Sequence, residues 1–129
     1  MAKNTIAFYT KSGRFKTTLL AYNDPITTLF TAGANGSKIL KIDCITTDFS
    51  STGGYLEFIF NDGTNNNIIV KINVSELSTN SDIMSYIGLP VNSNGDKYMN
   101  IEAGCTIKID WSNSTMYDPL TFCVYGEDY

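Results

Sequence analysis

The chain has no histidine, and that one absence removes several chemistries together. Ser-His-Asp and Cys-His nucleophilic catalysis, imidazole general bases and histidine metal sites all need a side chain this protein does not possess. No P-loop, no GxGxxG cradle and no GxSxG elbow appears. No apolar run approaches the ~18 residues of a membrane span. The first residues, Met1-Ala2-Lys3-Asn4-Thr5, lack the apolar stretch of a signal peptide, which points to synthesis in the producer's cytoplasm. Three cysteines, Cys44, Cys105 and Cys123, give an odd count without CxxC spacing. Each sits in an alternating run, so they read as buried free thiols acting as small hydrophobes. Without histidine they also make a poor zinc set.

Acid is missing from the first 23 residues, which hold Lys3, Lys11, Arg14 and Lys16; the rest of the chain holds the other five bases and all 13 acids. The total of −4 argues against a nucleic-acid binder. A basic leader on an acidic body reads either as an arm that docks on an acidic neighbour, including another copy of the same body, or as a solvated terminus.

What is present is period-2 alternation over a length of about one domain. Phe15, Thr17 and Leu19 are in phase, as are Leu40, Ile42 and Cys44; Leu56, Phe58 and Phe60; Ile68, Val70, Ile72 and Val74; and Cys105, Ile107, Ile109 and Trp111. Asn61 to Asn67, with Asp62-Gly63 inside it, is a hairpin connection. Ser81-Asp82 is placed to cap a short helical turn carrying Ile83, Met84 and Ile87 before Gly88 and Pro90, although a loop fits nearly as well. Thr121 to Tyr125 is apolar on both faces, as in a central strand or one whose second face meets a partner. The fold class is therefore all-β: an antiparallel β-sandwich or jelly roll of about seven or eight short strands. Residues 1–14 read as an N-terminal arm and 15–129 as the β-sandwich domain. The expected core is Leu40, Ile42, Leu56, Phe58, Ile68, Val70, Ile72, Ile107, Ile109, Trp111, Phe122 and Val124.

Two carboxylates suffice for glycoside hydrolysis, so acid pairs are candidates. Glu57 with Asp110, and Asp43 with Asp110, lie opposite apolar phases and read as solvated outer-face residues. Asn92 to Asp96 holds too few carboxylates for a calcium loop and reads as a tight turn. No cofactor and no metal is expected. Of the eight tyrosines, Tyr9, Tyr125 and Tyr129 lie near the termini and suit an interface as well as strand filling.

Two blocks resemble a known family. The first reads Thr28-x-x-Thr31-Ala32-Gly33-Ala34-Asn35-Gly36-Ser37. The second reads Gly88-Leu89-Pro90-x-Asn92-x-Asn94-Gly95-Asp96-x-Tyr98, followed by Ile101-x-Ala103-Gly104-x-Thr106-Ile107-Lys108. In order and spacing over about residues 15–129 they are similar to small all-β bacteriophage virion proteins, although the cysteines and the Tyr/Asn-rich composition depart from that pattern. The resemblance implies a virion location and an auxiliary capsid, or decoration, role with no enzymatic activity. The implied partner is the major capsid protein or another virion protein, with self-association also open, and no nucleic acid or membrane. The alternative is a tail or head-fibre module, or a carbohydrate-binding β-sandwich built around the Tyr98 and Tyr117 regions. The residues expected at the partner contact are Lys3, Tyr9, Lys11, Arg14, Lys16, Tyr125 and Tyr129.

Overall fold

A computed structural model describes residues 12–21, 24–45, 54–74, 80–87, 93–95, 97–112 and 120–129. Among them are nine strands and one helical turn: β1 (Ser12–Leu20), β2 (Thr27–Thr31), β3 (Ser37–Ile45), β4 (Tyr55–Asn61), β5 (Asn66–Asn73), β6 (Asn80–Asp82), α1 (Met84–Ile87), β7 (Met99–Ile101), β8 (Thr106–Ser112) and β9 (Leu120–Asp128). They form two antiparallel sheets. Sheet A runs β1-β9-β3-β6, with β7 also pairing β3; sheet B runs β2-β8-β4-β5. The chain passes from A to B to A to B through β1 to β4, makes the β4–β5 hairpin within B, returns to A for β6 and β7, and then visits β8 in B and β9 in A. Two half-polar sheets bury their apolar faces only by stacking on each other.

The core is that stack. Ile42, Cys44, Phe122 and Val124 from sheet A meet Leu56, Phe58, Ile107, Ile109 and Trp111 from sheet B. Phe58 and Phe122 touch edge to face with centroids 5.8 Å apart, joining the middle of one sheet to the middle of the other. β9 is a central strand, flanked by β1 and β3; its Leu120, Phe122 and Val124 enter the core, while Cys123 and Tyr125 lie on the outer face of sheet A. Asp82 caps α1 as its position implied: Met84 N donates to Asp82 Oδ1 at 3.0 Å. In the β4–β5 hairpin, Asp62 Oδ1 accepts from Thr64 N and Asn65 N at 2.9 and 2.8 Å, and these backbone bonds hold the Asp62 carboxyl below its ordinary pKa. All three cysteines are free and buried.

The expected core departs from the observed one at three positions, two of them because of bulges. Leu40 and Ile68 are exposed, and Val70 is only half-buried against the core. Between Ile39 and Lys41 the register on β9 slips by one, leaving Leu40 as an extra residue pushed outward. The buried positions on either side become Ile39 and Ile42, a spacing strict alternation does not produce. On β5 the extra residue is Ile69: Val70 pairs Phe58 while Ile68 pairs Ile59. A third bulge, at Leu29 in β2, lets the neighbours Leu29 and Phe30 both enter the core.

Burial of Cys44, with Cys123 beside it, pushes its thiol up to about 12 from an ordinary 9.0. The folded protein thus holds this proton more tightly than the unfolded chain. The resulting stabilisation is complete below the unfolded thiol's range and fades as pH climbs from 9.0 toward about 12. Iodoacetamide at about pH 8 is expected to leave Cys44 unmodified in the native protein and to alkylate it in urea, read by peptide mass. Native labelling would contradict its burial.

Candidate interaction surface

The two sequence blocks meet at one end of the sandwich. Ser37 of the first pairs with Ile101 of the second across β3 and β7, and Ala32 N donates to Cys105 O at 3.0 Å. The turn between β2 and β3 closes with Gly36 N donating to Gly33 O at 3.0 Å. Gly36 has φ +88°, and a Cβ there would sit 2.9 Å from Ile101 O, so both conformation and space demand glycine. A Cβ on Gly33 would fall 2.9 Å from Asp128 Cγ. Gly33 and Gly36 are therefore packing positions that let the two blocks and the C-terminal strand converge.

Arg14 lies at this junction. Its Nη2 donates to Thr31 O at 2.6 Å and to Asp128 Oδ1 at 2.8 Å, and its guanidinium stacks 4.0 Å from the centroid of Phe30. Asp128 Oδ1 also accepts from the buried Ser37 hydroxyl at 2.5 Å, and Ser37 Oγ accepts from Gly33 N at 2.8 Å. Lys16 Nζ reaches Thr28 O at 3.5 Å. Both cations face inward from β1 and tie it to the edge of β2, closing that flank. β1 begins at Ser12, so strand pairing reaches into residues the sequence assigned to the arm. Arg14→Ala is expected to cost about 1–3 kcal/mol in a urea titration. Most of that comes from stranding Asp128 and the Thr31 carbonyl, since an ion pair this solvent-accessible contributes little alone. Arg14→Lys should recover only part of it, because lysine lacks the fork and the stacking plane. A loss below about 0.5 kcal/mol would show that the junction holds without Arg14.

With Arg14 and Lys16 turned in, the apolar phase of β1 points out. Phe15 is 55% exposed and Leu19 66%. Register places their neighbours on the same outer face of sheet A. One row is Phe15, Tyr125 and Lys41; the next is Thr17, Cys123 and Asp43; the third is Leu19, Thr121 and Ile45. Phe15 and Tyr125 contact at 4.8 Å between centroids, tilted by 52°. Lys41 Nζ reaches Asp43 at 3.4 Å and stands 5.9 Å from the Tyr125 ring. Phe15, Leu19, Ile45 and Tyr125 are all exposed large hydrophobics. Toward the motif end the same face becomes polar. Lys38 lies 4.4 Å over the Tyr98 ring, and Tyr129 Oη donates to Asn100 Oδ1 at 2.6 Å. Desolvation first, then Glu127 and Tyr98, raise the Tyr129 pKa.

Of the expected contact residues, Tyr125 and Tyr129 thus share one surface, Arg14 and Lys16 are engaged inside the molecule, and Lys3, Tyr9 and Lys11 lie outside the described residues, as does Tyr117. Phe15, Leu19, Ile45 and Lys41 join that surface although they are not among the contacts expected from the sequence. The available signal was that one phase of β1 is apolar while the other carries Arg14 and Lys16. Glu57 and Asp110 are register partners on the outer face of sheet B, whereas Asp43, expected to be solvated, is buried in sheet A on the opposite side of the molecule, paired with Lys41. Among the described residues no group of three or more acidic, cysteine or histidine side chains is arranged to hold a metal. No described helix is long and apolar enough to cross a membrane.

The fold has a counterpart among solved structures. It is similar to a chain in the acidic stable capsid structure of Helicobacter pylori bacteriophage KHP30. The TM-score is 0.53 at 11% identity, and the alignment covers 92% of this chain and 90% of that one. At this identity the likeness is one of fold. Comparison with protein families and with curated proteins found no match.

Proposed function

We propose that this protein is a non-enzymatic phage virion protein, an auxiliary capsid or decoration protein that docks on the major capsid shell through the outer face of sheet A. The observation that carries this reading is the exposed patch of Phe15, Leu19, Ile45 and Tyr125 beside Lys41 on a well-packed sandwich. Exposed large apolar side chains gathered on one sheet face fit a contact site, and aromatic anchors with a charged margin fit an interface. The order β1-β9-β3-β6 facing β2-β8-β4-β5 supports a jelly roll, an arrangement used by viral capsid and lectin domains. The fold likeness to a chain of a phage capsid structure adds the setting. The mechanism is mass action: a ligand that binds only the assembled lattice stabilises it by its binding free energy at every occupied site. Tyr129 and the basic residues Lys3 and Lys11, with Tyr9, belong to the proposed contact as its extensions.

Co-sedimentation with capsids lacking the protein tests this. A regular copy number matching the lattice, with raised thermal resistance of the shell, is the expected result. Absence from heads would overturn it. A tail-fibre or glycan-binding role is the second reading, favoured by the Tyr98, Asn100, Lys38 and Tyr129 cluster. Attachment to tails alone, or retention on a glycan surface, would support it.

A further inference from the structure

We infer that β1 is a releasable strap: it opens from β9 as a unit while the rest of the sandwich stays folded, and docking on the capsid shell holds it shut. The second half of this inference rests on the docking face proposed above. A segment opens locally when it buries little. β1 pairs with no described strand but β9. From Gly13 to Leu19 no side chain enters the hydrophobic core, and only Leu20, the last residue, is fully buried. Other edge strands are anchored differently. β2, five residues long, sinks Leu29 and Phe30 into the core, and β5 contributes Ile72 with Ile69 and Val70.

What holds β1 from within is polar. Its inner phase, Arg14, Lys16 and Thr18, stands in register with Gly126, Val124 and Phe122 of β9. Lys16 Nζ reaches Thr28 O at a long 3.5 Å. Arg14 bonds Thr31 O and Asp128 through Nη2, but its buried Nε has no hydrogen-bond partner among the described residues. Water satisfies all these groups once the strand lifts, which offsets part of the cost of the broken ladder. The hinge lies at the other end. Beyond the Leu20 anchor, Ala21 N donates to Asp24 Oδ2 at 2.8 Å and Asp24 N donates to Ala21 O at 3.1 Å, a closed turn that keeps the base of the strap in place.

This joint divides the docking patch. Phe15 and Leu19 ride on β1, whereas Tyr125 and Ile45 stand on β9 and β3. The Phe15–Tyr125 contact crosses the joint. A shell that engages all four side chains binds the closed state alone, so it stabilises closure by the free energy of docking.

Native-state hydrogen exchange, read residue by residue, tests both halves. In the free protein the ladder amides of β1 are expected to exchange at least about tenfold faster than those of β4 and β8, through an opening with little urea dependence. Phe58→Leu weakens a core that stays folded while β1 is open. It should speed exchange in β4 and β8 at least about threefold and leave β1 within about twofold of wild type. On capsids the β1 amides are expected to slow at least about tenfold. β1 exchanging in step with β4 and β8 in the free protein would overturn the strap, whether or not capsids bind. Should Phe58→Leu fail to fold, the wild type decides: a urea slope for β1 equal to that of β4 and β8 counts against it. Unchanged β1 exchange on docked particles would overturn the coupling alone. Absence of docking would end the docking reading and the coupling with it, while exchange in the free protein still decides the opening.

Discussion

Phe58→Ala is expected to lower the unfolding free energy by about 3–5 kcal/mol, a large part of the about 5–15 kcal/mol a domain typically has. Phe58 is fully buried at the centre of β4, and its ring meets Phe122 of the opposite sheet edge-on. Truncation leaves a cavity between two sheets whose separation is set by many other side chains, so the site collapses poorly and the loss exceeds simple transfer. The urea midpoint should fall with an unchanged slope, the mark of altered stability without altered two-state behaviour. Phe58→Leu, which keeps most of the volume, should cost much less. A loss below about 1 kcal/mol for the alanine variant would mean that this contact does not join the sheets.

The second large effect concerns binding. Leu19→Lys with Tyr125→Ala is expected to weaken capsid docking at least about thirtyfold, the consequence of losing about 2 kcal/mol or more of anchor energy. Both side chains lie outside the core, on the outer face of sheet A, so the melting behaviour should stay close to wild type. Tyr125 is the more informative of the two. It stacks on Phe15 and stands near Lys41, so its removal unsettles the row of the patch that these three residues form. Unchanged docking by the double variant would move the contact off this face.

The fold was legible where alternation is unbroken. β4 and β8 carry Leu56 with Phe58, and Ile107, Ile109 and Trp111, in phase without interruption, and all are buried. The hairpin at Asp62-Gly63 and the cap at Asp82 were legible because a short acceptor side chain or a glycine has few other reasons to stand there. Alternation misled at Leu40 and Ile68, since one inserted residue inverts the phase of everything beyond it and leaves no local mark in composition. The contact surface was legible in part. Tyr125 fell on it, but Arg14 and Lys16 did not, because a charge count does not reveal which way an edge strand faces. Their partners, Thr31 O, Asp128 and Thr28 O, lie on β2 and on the last strand, and only the closed fold brings them together.

The central claim is that the outer face of sheet A meets a capsid shell. An electron-microscopy reconstruction of purified particles carrying this protein tests it most directly. The account predicts a copy at each equivalent lattice position, with Phe15, Leu19, Ile45 and Tyr125 against the shell and the outer face of sheet B, bearing Glu57 and Asp110, turned to solvent. Particles whose heads lack the protein, or copies seated by sheet B with the Phe15–Tyr125 face open to solvent, would contradict it.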